Sequence, residues 1–316
     1  MAGHGSKTVI LAALGGNALI AITKFGAAAI TGSAAMLSEG IHSLVDTGNQ
    51  VLLLYGMRQA AKPATPEHPF GYGLRLYFWA FVVAILIFGL GAGLSILHGI
   101  DKIREPHQVE DAWINYIVLA LGMVFEGAVW LIALRAFRAE QGEGGWIAAI
   151  RASKDSTVFT VLFEDSAALL GLITAFIGIV MSQALDMPVL DGVASVVIGV
   201  ILALTAAFLA FECQSLLTGE GVAAPVRASI RSIAASGNGV EQINELLTMH
   251  FGPNDVLVAL SLDFSNTLSA LGVEDTVSSI ERAIKAGHSD VTRVFVEAQS
   301  FEAHRRAIAE SAELAG

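Results

Sequence analysis

Two residues that could bind a metal ion stand four positions apart, at His42 and Asp46, in the segment SEGIHSLVDTGNQ. On a helix this spacing puts both side chains on one face, one turn apart. A neutral imidazole and a carboxylate in that arrangement can reach one divalent ion, and zinc accepts both ligand types. The alternative is a His–Asp hydrogen bond that only joins helices. The neighbouring Ser43 and Asn49 are expected to make hydrogen bonds between helices rather than to bind metal.

A second pair of acids, Glu164 and Asp165, lies in the otherwise apolar run TVLFEDSAALLG. Adjacent residues point about 100° apart on a helix, so we expect one acid to face an ion and the other a partner, water or a proton path. The alternative places both acids at a helix end in the membrane interface, but seven residues from Thr157 precede them. Buried acids together with a His–Asp pair would require a cation to offset them.

Three further charged residues lie within apolar segments. Glu126, in MVFEGAVW, is either protonated and structural or takes part in proton transfer or ion access. Glu39 lies one turn before His42 and is expected near the outer end of its helix as a metal-access group. Lys24 could pair with an acid, but near a helix end we expect its long side chain to reach the surface instead.

Composition indicates lipid as the solvent for most of the chain. Of the 316 residues, 54% are hydrophobic and 15% are charged, and the mean hydropathy is +0.64. Soluble domains carry about 25% charged residues. The net charge of −11 argues against a nucleic-acid partner, which would need a basic surface. A single cysteine, Cys213, excludes an intramolecular disulfide framework and a multi-cysteine zinc site.

Six segments have the roughly 20 apolar residues that a membrane helix needs: 8–30, 34–57, 76–99, 113–135, 157–183 and 191–216. Glycines of the third segment, Gly89, Gly91 and Gly93, are expected to let helices approach closely. Loop charges predict that both termini face the cytoplasm. The terminus and loops on one side of the membrane carry eight Lys and Arg residues, and the loops on the other side carry two. The eight are Lys7, Arg58, Lys62, Arg75, Arg135, Arg138, Arg151 and Lys154, and the two are Lys102 and Arg104.

The chain divides by composition into a membrane domain, 1–218, and a more highly charged C-terminal domain, 219–316. The C-terminal pattern predicts a small open-faced α+β sandwich. Its predicted helices are 225–236, 273–286 and 302–316, and its predicted strands are 256–264, 291–298 and an additional one near 243–250.

Four motifs together resemble the cation diffusion facilitator family over nearly the whole chain: GSAAMLSEGIHSLVDTGNQ, HPFGYGLRLYFWA, EDSAA and DGVASVVIGVILALTAAFLAFECQSLL. The likeness is greatest to the branch that includes the mitochondrial zinc transporter of animals, and it is weak in the C-terminal domain. It implies a homodimer of six-helix protomers, each with a ferredoxin-like cytoplasmic domain. It also implies proton-for-metal antiport by alternating access.

The resemblance places a transport site between the second and fifth membrane segments. His42 and Asp46 match its first half, and Asp165 matches the aspartate of its second half. The family histidine four residues before that aspartate is replaced by Val161, so Glu164 is the candidate substitute. An oxygen-richer site would accept manganese, iron or cobalt more readily. A loop site at His68, whose family partner position is Tyr72, and a C-terminal metal site are not expected.

These observations predict a proton-coupled exporter of a divalent metal, with zinc as the first candidate, in a bacterial inner membrane. The metal is substrate rather than cofactor, and the chain is not expected to be an enzyme. Two alternatives stay open. One is a membrane-embedded hydrolase that activates water with the same residues, although no His-Glu-x-x-His motif is present. The other is a metal-sensing scaffold that transports nothing.

Overall fold

The computed structural model describes residues 2–106, 112–140 and 156–315. They form two compact units. The first comprises Met1–Lys62 and Arg75–Gln214, and the second comprises Pro63–Leu74 and Ser215–Gly316. Arg151 and Lys154, which contributed to the loop-charge argument, lie outside the described residues.

The first unit consists of long helices, and every predicted membrane segment falls on one of them. The third segment falls on a helix interrupted by a π-helical turn at Ile87–Ala92. The helices are α1 (Ala2–Thr31), α2 (Ala34–Ala60), α3 (Leu74–Leu86), α4 (Gly93–Arg104), α5 (Ala112–Glu140), α6 (Ser156–Ala184) and α7 (Val189–Leu217).

Five segments of the described chain are long and apolar enough to cross a membrane: Leu14–Thr31, Leu74–Arg104, Trp113–Arg135, Phe159–Ala184 and Val189–Leu217. The chain is therefore a multi-pass helical membrane protein. Helix α2 is not among the five, although it has 27 residues. Its polar residues interrupt the apolar run, and they are buried by the surrounding helices: Glu39, His42, Asp46, Asn49 and Gln50.

The start of α2 is held by a buried carboxylate. Ser33 caps the helix by accepting a hydrogen bond from Met36 N. Asp191, at the start of α7, accepts bonds from Ser33 Oγ at 2.8 Å and from Ala34 N at 2.7 Å. The first turn of a helix has unpaired N–H groups, and a carboxylate there satisfies them and complements the helix dipole. The position of α2 is thereby tied to that of α7.

Close packing of α4 against α7 uses glycines other than those expected. A Cβ added at Gly99 would lie 2.7 Å from Gly192 O, and one added at Gly192 would lie 2.9 Å from Gly99 O. By contrast, Gly89 has nothing within 4 Å of such a Cβ, and Gly91 has only ordinary contact with Leu202 at 3.5 Å. Among the described residues, therefore, no helix approaches closely at Gly89, which lies in the π-helical turn.

The C-terminal domain is a three-stranded sheet with helices. Strand β2 is central, antiparallel to β1 and parallel to β3. The predicted elements are confirmed, except that β1 is longer than 243–250. Register irregularities in its pairing with β2 interrupt the alternation of buried and exposed residues along it. The elements are α8 (Ala224–Ala235), β1 (Val240–Gly252), β2 (Asp255–Phe264), α9 (Ala270–Gly287), β3 (Val291–Ala298) and α10 (Phe301–Ala315).

The loop between α2 and α3, residues 63–74, belongs to this second unit and is held there by aromatic contacts. Phe70 stacks on Phe251 of β1 with ring centroids 4.9 Å apart. The guanidinium of Arg293 lies 5.6 Å from the Phe70 centroid and pairs with Asp255 at 2.9 Å. His68 stacks on Tyr72 with ring centroids 4.3 Å apart.

We expect Phe70→Ala to loosen this loop. The variant loses both the ring stack and the cation–π contact, each worth roughly 0.5–1.5 kcal/mol. Hydrogen exchange should therefore become at least about 5-fold faster in residues 63–74. Phe295→Ala is the matched control because Phe295 is 55% exposed. Equal exchange in wild type and Phe70→Ala would show that the contact does not hold the loop.

Candidate metal transport site

The predicted His–Asp pair lies on one buried face of α2. His42 Nδ1 and Asp46 Oδ1 are 3.4 Å apart, and each side chain is at most 2% exposed. The i,i+4 spacing brings them together, as expected, and the packing of α1, α4 and α6 against α2 removes both from lipid. A polar face on a helix of this kind is stable only if neighbouring helices cover it.

Helix α6 brings the second pair of acids to the same region. Glu164 Oε1 accepts a hydrogen bond from Asn49 Nδ2 at 2.6 Å, and the carboxyl groups of Glu164 and Asp46 are close enough to interact directly. Asp165 is also buried, at 3% exposed. Asn49 therefore joins α2 to α6, as predicted, and the structure unites Glu164 with the α2 pair.

Several buried atoms of this region have no hydrogen-bond partner among the described residues. They belong to all four predicted ligands and to two amides, and they are His42 Nδ1 and Nε2, Asp46 Oδ1, Glu164 Oε2, Asp165 Oδ2, Asn49 Oδ1 and Gln50 Oε1. An unpaired buried polar group costs about 1–3 kcal/mol. Most of these atoms are lone-pair donors of the kind that a divalent cation binds.

Gln50 is a candidate that the sequence analysis missed. Its side chain is 1% exposed, and its Oε1 has no partner in the described part of the chain. The available signal was its position, four residues after Asp46 and eight after His42, which continues the same helical stripe. The amide oxygen could serve as a neutral ligand for an ion.

The candidate ligands are neighbours rather than a closed coordination shell. Among the residues that the structure describes, no three His, Cys, Asp or Glu side chains converge closely enough to hold a metal together. Val161, at the position of the family histidine, is a buried apolar residue on α6. Binding by three protein ligands therefore requires His42, Asp46 and an α6 acid to move closer together.

A second charged cluster lies on α1, α2 and α5. Lys24 Nζ is 3.0 Å from Glu39 Oε2 and 3.3 Å from Glu126 Oε1, and it donates to Ser43 Oγ at 2.8 Å. Lys24 is 0% exposed, so the expectation that it reaches the surface was wrong. Two buried carboxylates provide ionic partners that are closer than solvent. Ser43 makes its bond between helices, as predicted.

Glu39 is buried beside Lys24 in the membrane domain. It is 0% exposed, and it faces Lys24 instead of an opening at the outer end of α2. Glu126 is also buried and shares the same ammonium. A proton role and an access role both stay predictions for these two acids.

Residues 10–218 match the model of the cation efflux transmembrane domain. The chain belongs to the cation efflux family. Its predicted membership of the cation diffusion facilitators is therefore confirmed. The matched region contains every candidate ligand and all three members of the Lys24 cluster.

Relatives within the cation efflux family come from animals, plants and bacteria. The chain is 32% identical to the proton-coupled zinc antiporter SLC30A9, mitochondrial, of Xenopus laevis, over 82% of this chain and 47% of the relative. It is 26% identical to metal tolerance protein C4 of Arabidopsis thaliana, over 89% and 64%. It is 25% identical to the cation-efflux pump FieF of Shewanella oneidensis, over 82% of each chain. The predicted likeness to the mitochondrial branch is thus confirmed.

The chain spans about half the length of the animal relatives that it matches. The similarity therefore establishes the family of this chain.

Proposed function

We propose that this protein exports a divalent metal ion, with zinc as the first candidate, in exchange for protons. The observation that carries the proposal is the buried His42–Asp46 pair facing Glu164, with unpartnered nitrogen and oxygen atoms in the membrane domain. The names of the relatives, zinc antiporter and cation-efflux pump, support the same activity. The metal is substrate, and the protein is a transporter rather than an enzyme.

In this proposal His42, Asp46 and Asp165 bind the ion, and Glu164 or water completes the shell. Metal binding requires a neutral imidazole and ionised carboxylates, so protons and metal compete for the same groups. Protonation of His42 removes the nitrogen lone pair that would bind the ion, which makes it a suitable trigger for metal release. Alternating access then returns the protonated protein to the side from which metal is collected.

We propose that six helices cross the membrane, and that α2 is the one whose polar face is covered by the other helices and not by lipid. The membrane domain is 1–218, and residues 219–316 form a ferredoxin-like cytoplasmic domain in a homodimer. Both termini are cytoplasmic, and lipid surrounds the helices. A bacterial inner membrane stays our prediction for the host membrane; the relatives include a bacterial pump and proteins named mitochondrial.

Transport by the full chain in liposomes tests the proposal. Zinc chloride is added outside vesicles with an acidic lumen, and a zinc indicator and a pH dye report the lumen. We expect lumenal zinc to rise as the lumen becomes alkaline, in a fixed ratio, and a protonophore to abolish the uptake. A hydrolase or a scaffold would leave lumenal zinc at the level of protein-free vesicles.

Metal competition distinguishes the two α6 acids. We expect Asp165→Asn to weaken manganese and cobalt binding by more than about 10-fold, and zinc less, because zinc retains its preferred imidazole. Glu164→Gln is the matched variant. For both variants, the affinities for zinc, manganese, iron and cobalt are measured by competition between the protein and a metal-binding indicator. The acid whose loss weakens binding more is the ligand. Unchanged affinities in both variants would remove α6 from the site.

A further inference from the structure

The Lys24 cluster has an unbalanced charge inside the membrane domain. One ammonium, on α1, lies between two carboxylates, Glu39 on α2 and Glu126 on α5, at 3.0 and 3.3 Å. All three side chains are at most 2% exposed. The fully ionised cluster carries one net negative charge, and burial of an uncompensated charge is costly. One added proton makes the cluster neutral.

The structure also contains a place for that proton. Glu39 Oε2 accepts from Lys24, but Glu39 Oε1 is buried without a hydrogen-bond partner among the described residues. A carboxylate oxygen with no donor is the atom at which a proton is accommodated without breaking a bond. Gly171 of α6 leaves the necessary space, because a Cβ there would overlap Glu39 Oε1.

This cluster is separate from the metal ligands but lies within reach of their charges. The carboxylate of Glu126 interacts electrostatically with Asp46, Glu164 and Asp165, and the ammonium of Lys24 interacts with His42. The charged and titratable groups around Glu39 and Glu126 are Lys24 on α1, His42 and Asp46 on α2, and Glu164 and Asp165 on α6.

We propose that Lys24, Glu39 and Glu126 form a proton-binding site, distinct from the metal ligands, that is loaded when the metal leaves and emptied when a metal binds. The inference rests on the proposed function and deepens it. An arriving divalent cation favours the ionised carboxylates, so the O–H bond of the protonated acid breaks and its proton passes to water. Departure of the metal restores the unbalanced negative charge, and a proton returns.

Charge arithmetic predicts opposite effects for two substitutions. Glu126→Gln leaves a neutral Lys24–Glu39 pair that needs no proton, so metal binding should release about one proton fewer. Lys24→Met leaves two carboxylates without their cation, so metal binding should release more protons than in the wild type. A cluster that merely held three helices together would leave the proton count unchanged in both variants.

The proton count is measured on the purified full chain in nanodiscs. Zinc chloride is titrated calorimetrically in two buffers of different ionisation enthalpy, which reports protons released per zinc ion bound. Glu39→Gln is included in case Glu126→Gln fails to fold, and it should also release about one proton fewer. Glu302→Gln is the matched control, because Glu302 is 83% exposed on α10.

Each result has a definite meaning. A lower proton count in Glu126→Gln or Glu39→Gln, with zinc still bound and the control unchanged, supports the site. Wild-type proton counts in both variants overturn it and leave the proposed function intact. Absence of zinc binding by the wild-type protein would instead overturn the proposed function.

Discussion

Replacing His42 with alanine is expected to abolish zinc-driven proton flux in liposomes. The imidazole is the only nitrogen ligand among the four candidates, and it is buried 3.4 Å from Asp46. Loss of a residue that supports a metal ligand costs roughly 10–100-fold in affinity, so loss of a ligand should exceed that. Asp46→Ala is expected to have the same effect. The measurement is lumenal pH after addition of zinc outside the vesicles.

The control for this substitution is His288→Ala. His288 is a half-buried residue of the C-terminal domain, remote in sequence from the candidate ligands, and its Nε2 contacts Ser229 Oγ at 2.9 Å. This variant should transport as the wild type does. Normal flux in either His42→Ala or Asp46→Ala would show that the α2 pair is structural, which is the alternative that the spacing left open.

The second large effect is expected for Asp191→Ala, and it concerns stability. The carboxylate accepts from Ser33 Oγ and Ala34 N, and its removal leaves buried donors at the start of α2 unpaired. A buried donor left unsatisfied costs about 1–3 kcal/mol, and two donors lose their acceptor in this variant. We therefore expect a clearly lower midpoint of thermal unfolding. The unfolding of the detergent-solubilised protein is measured by its tryptophan fluorescence.

Two further variants make the Asp191 result specific. Asp191→Asn keeps one acceptor oxygen and should lie between the wild type and the alanine variant. Glu310→Ala removes an exposed acid of α10 and should unfold as the wild type does. An Asp191→Ala midpoint equal to that of the control would mean that α2 is positioned by its other contacts.

The C-terminal sheet shows how far local pattern predicts structure. The predicted strands 256–264 and 291–298 coincide closely with β2 and β3, and the first half of β2 alternates partly buried and buried residues with period two. Strand β1 was the least well predicted. It pairs with β2 as a hairpin that contains three register irregularities, and these interrupt the alternation of buried and exposed residues along β1.

The same distinction applies to the two charged clusters. His42 and Asp46 are one helical turn apart, so their contact follows from helix geometry alone. Lys24 and Glu126 are 102 positions apart, and no local pattern indicates that they meet. The surface position expected for Lys24 was wrong because a helix end near the interface allows either orientation. Only the packing of α1 against α2 and α5 decides between them.

The sequence by itself determined that this is a multi-pass helical membrane protein of the cation efflux family with a polar His42–Asp46 face. Composition, apolar segment length and i,i+4 spacing can be read from the sequence without knowing which helices pack together. The tertiary structure alone decided that Glu164 joins that face through Asn49 and that Lys24 is buried between two acids. These contacts join different helices, and they depend on which helix faces pack together.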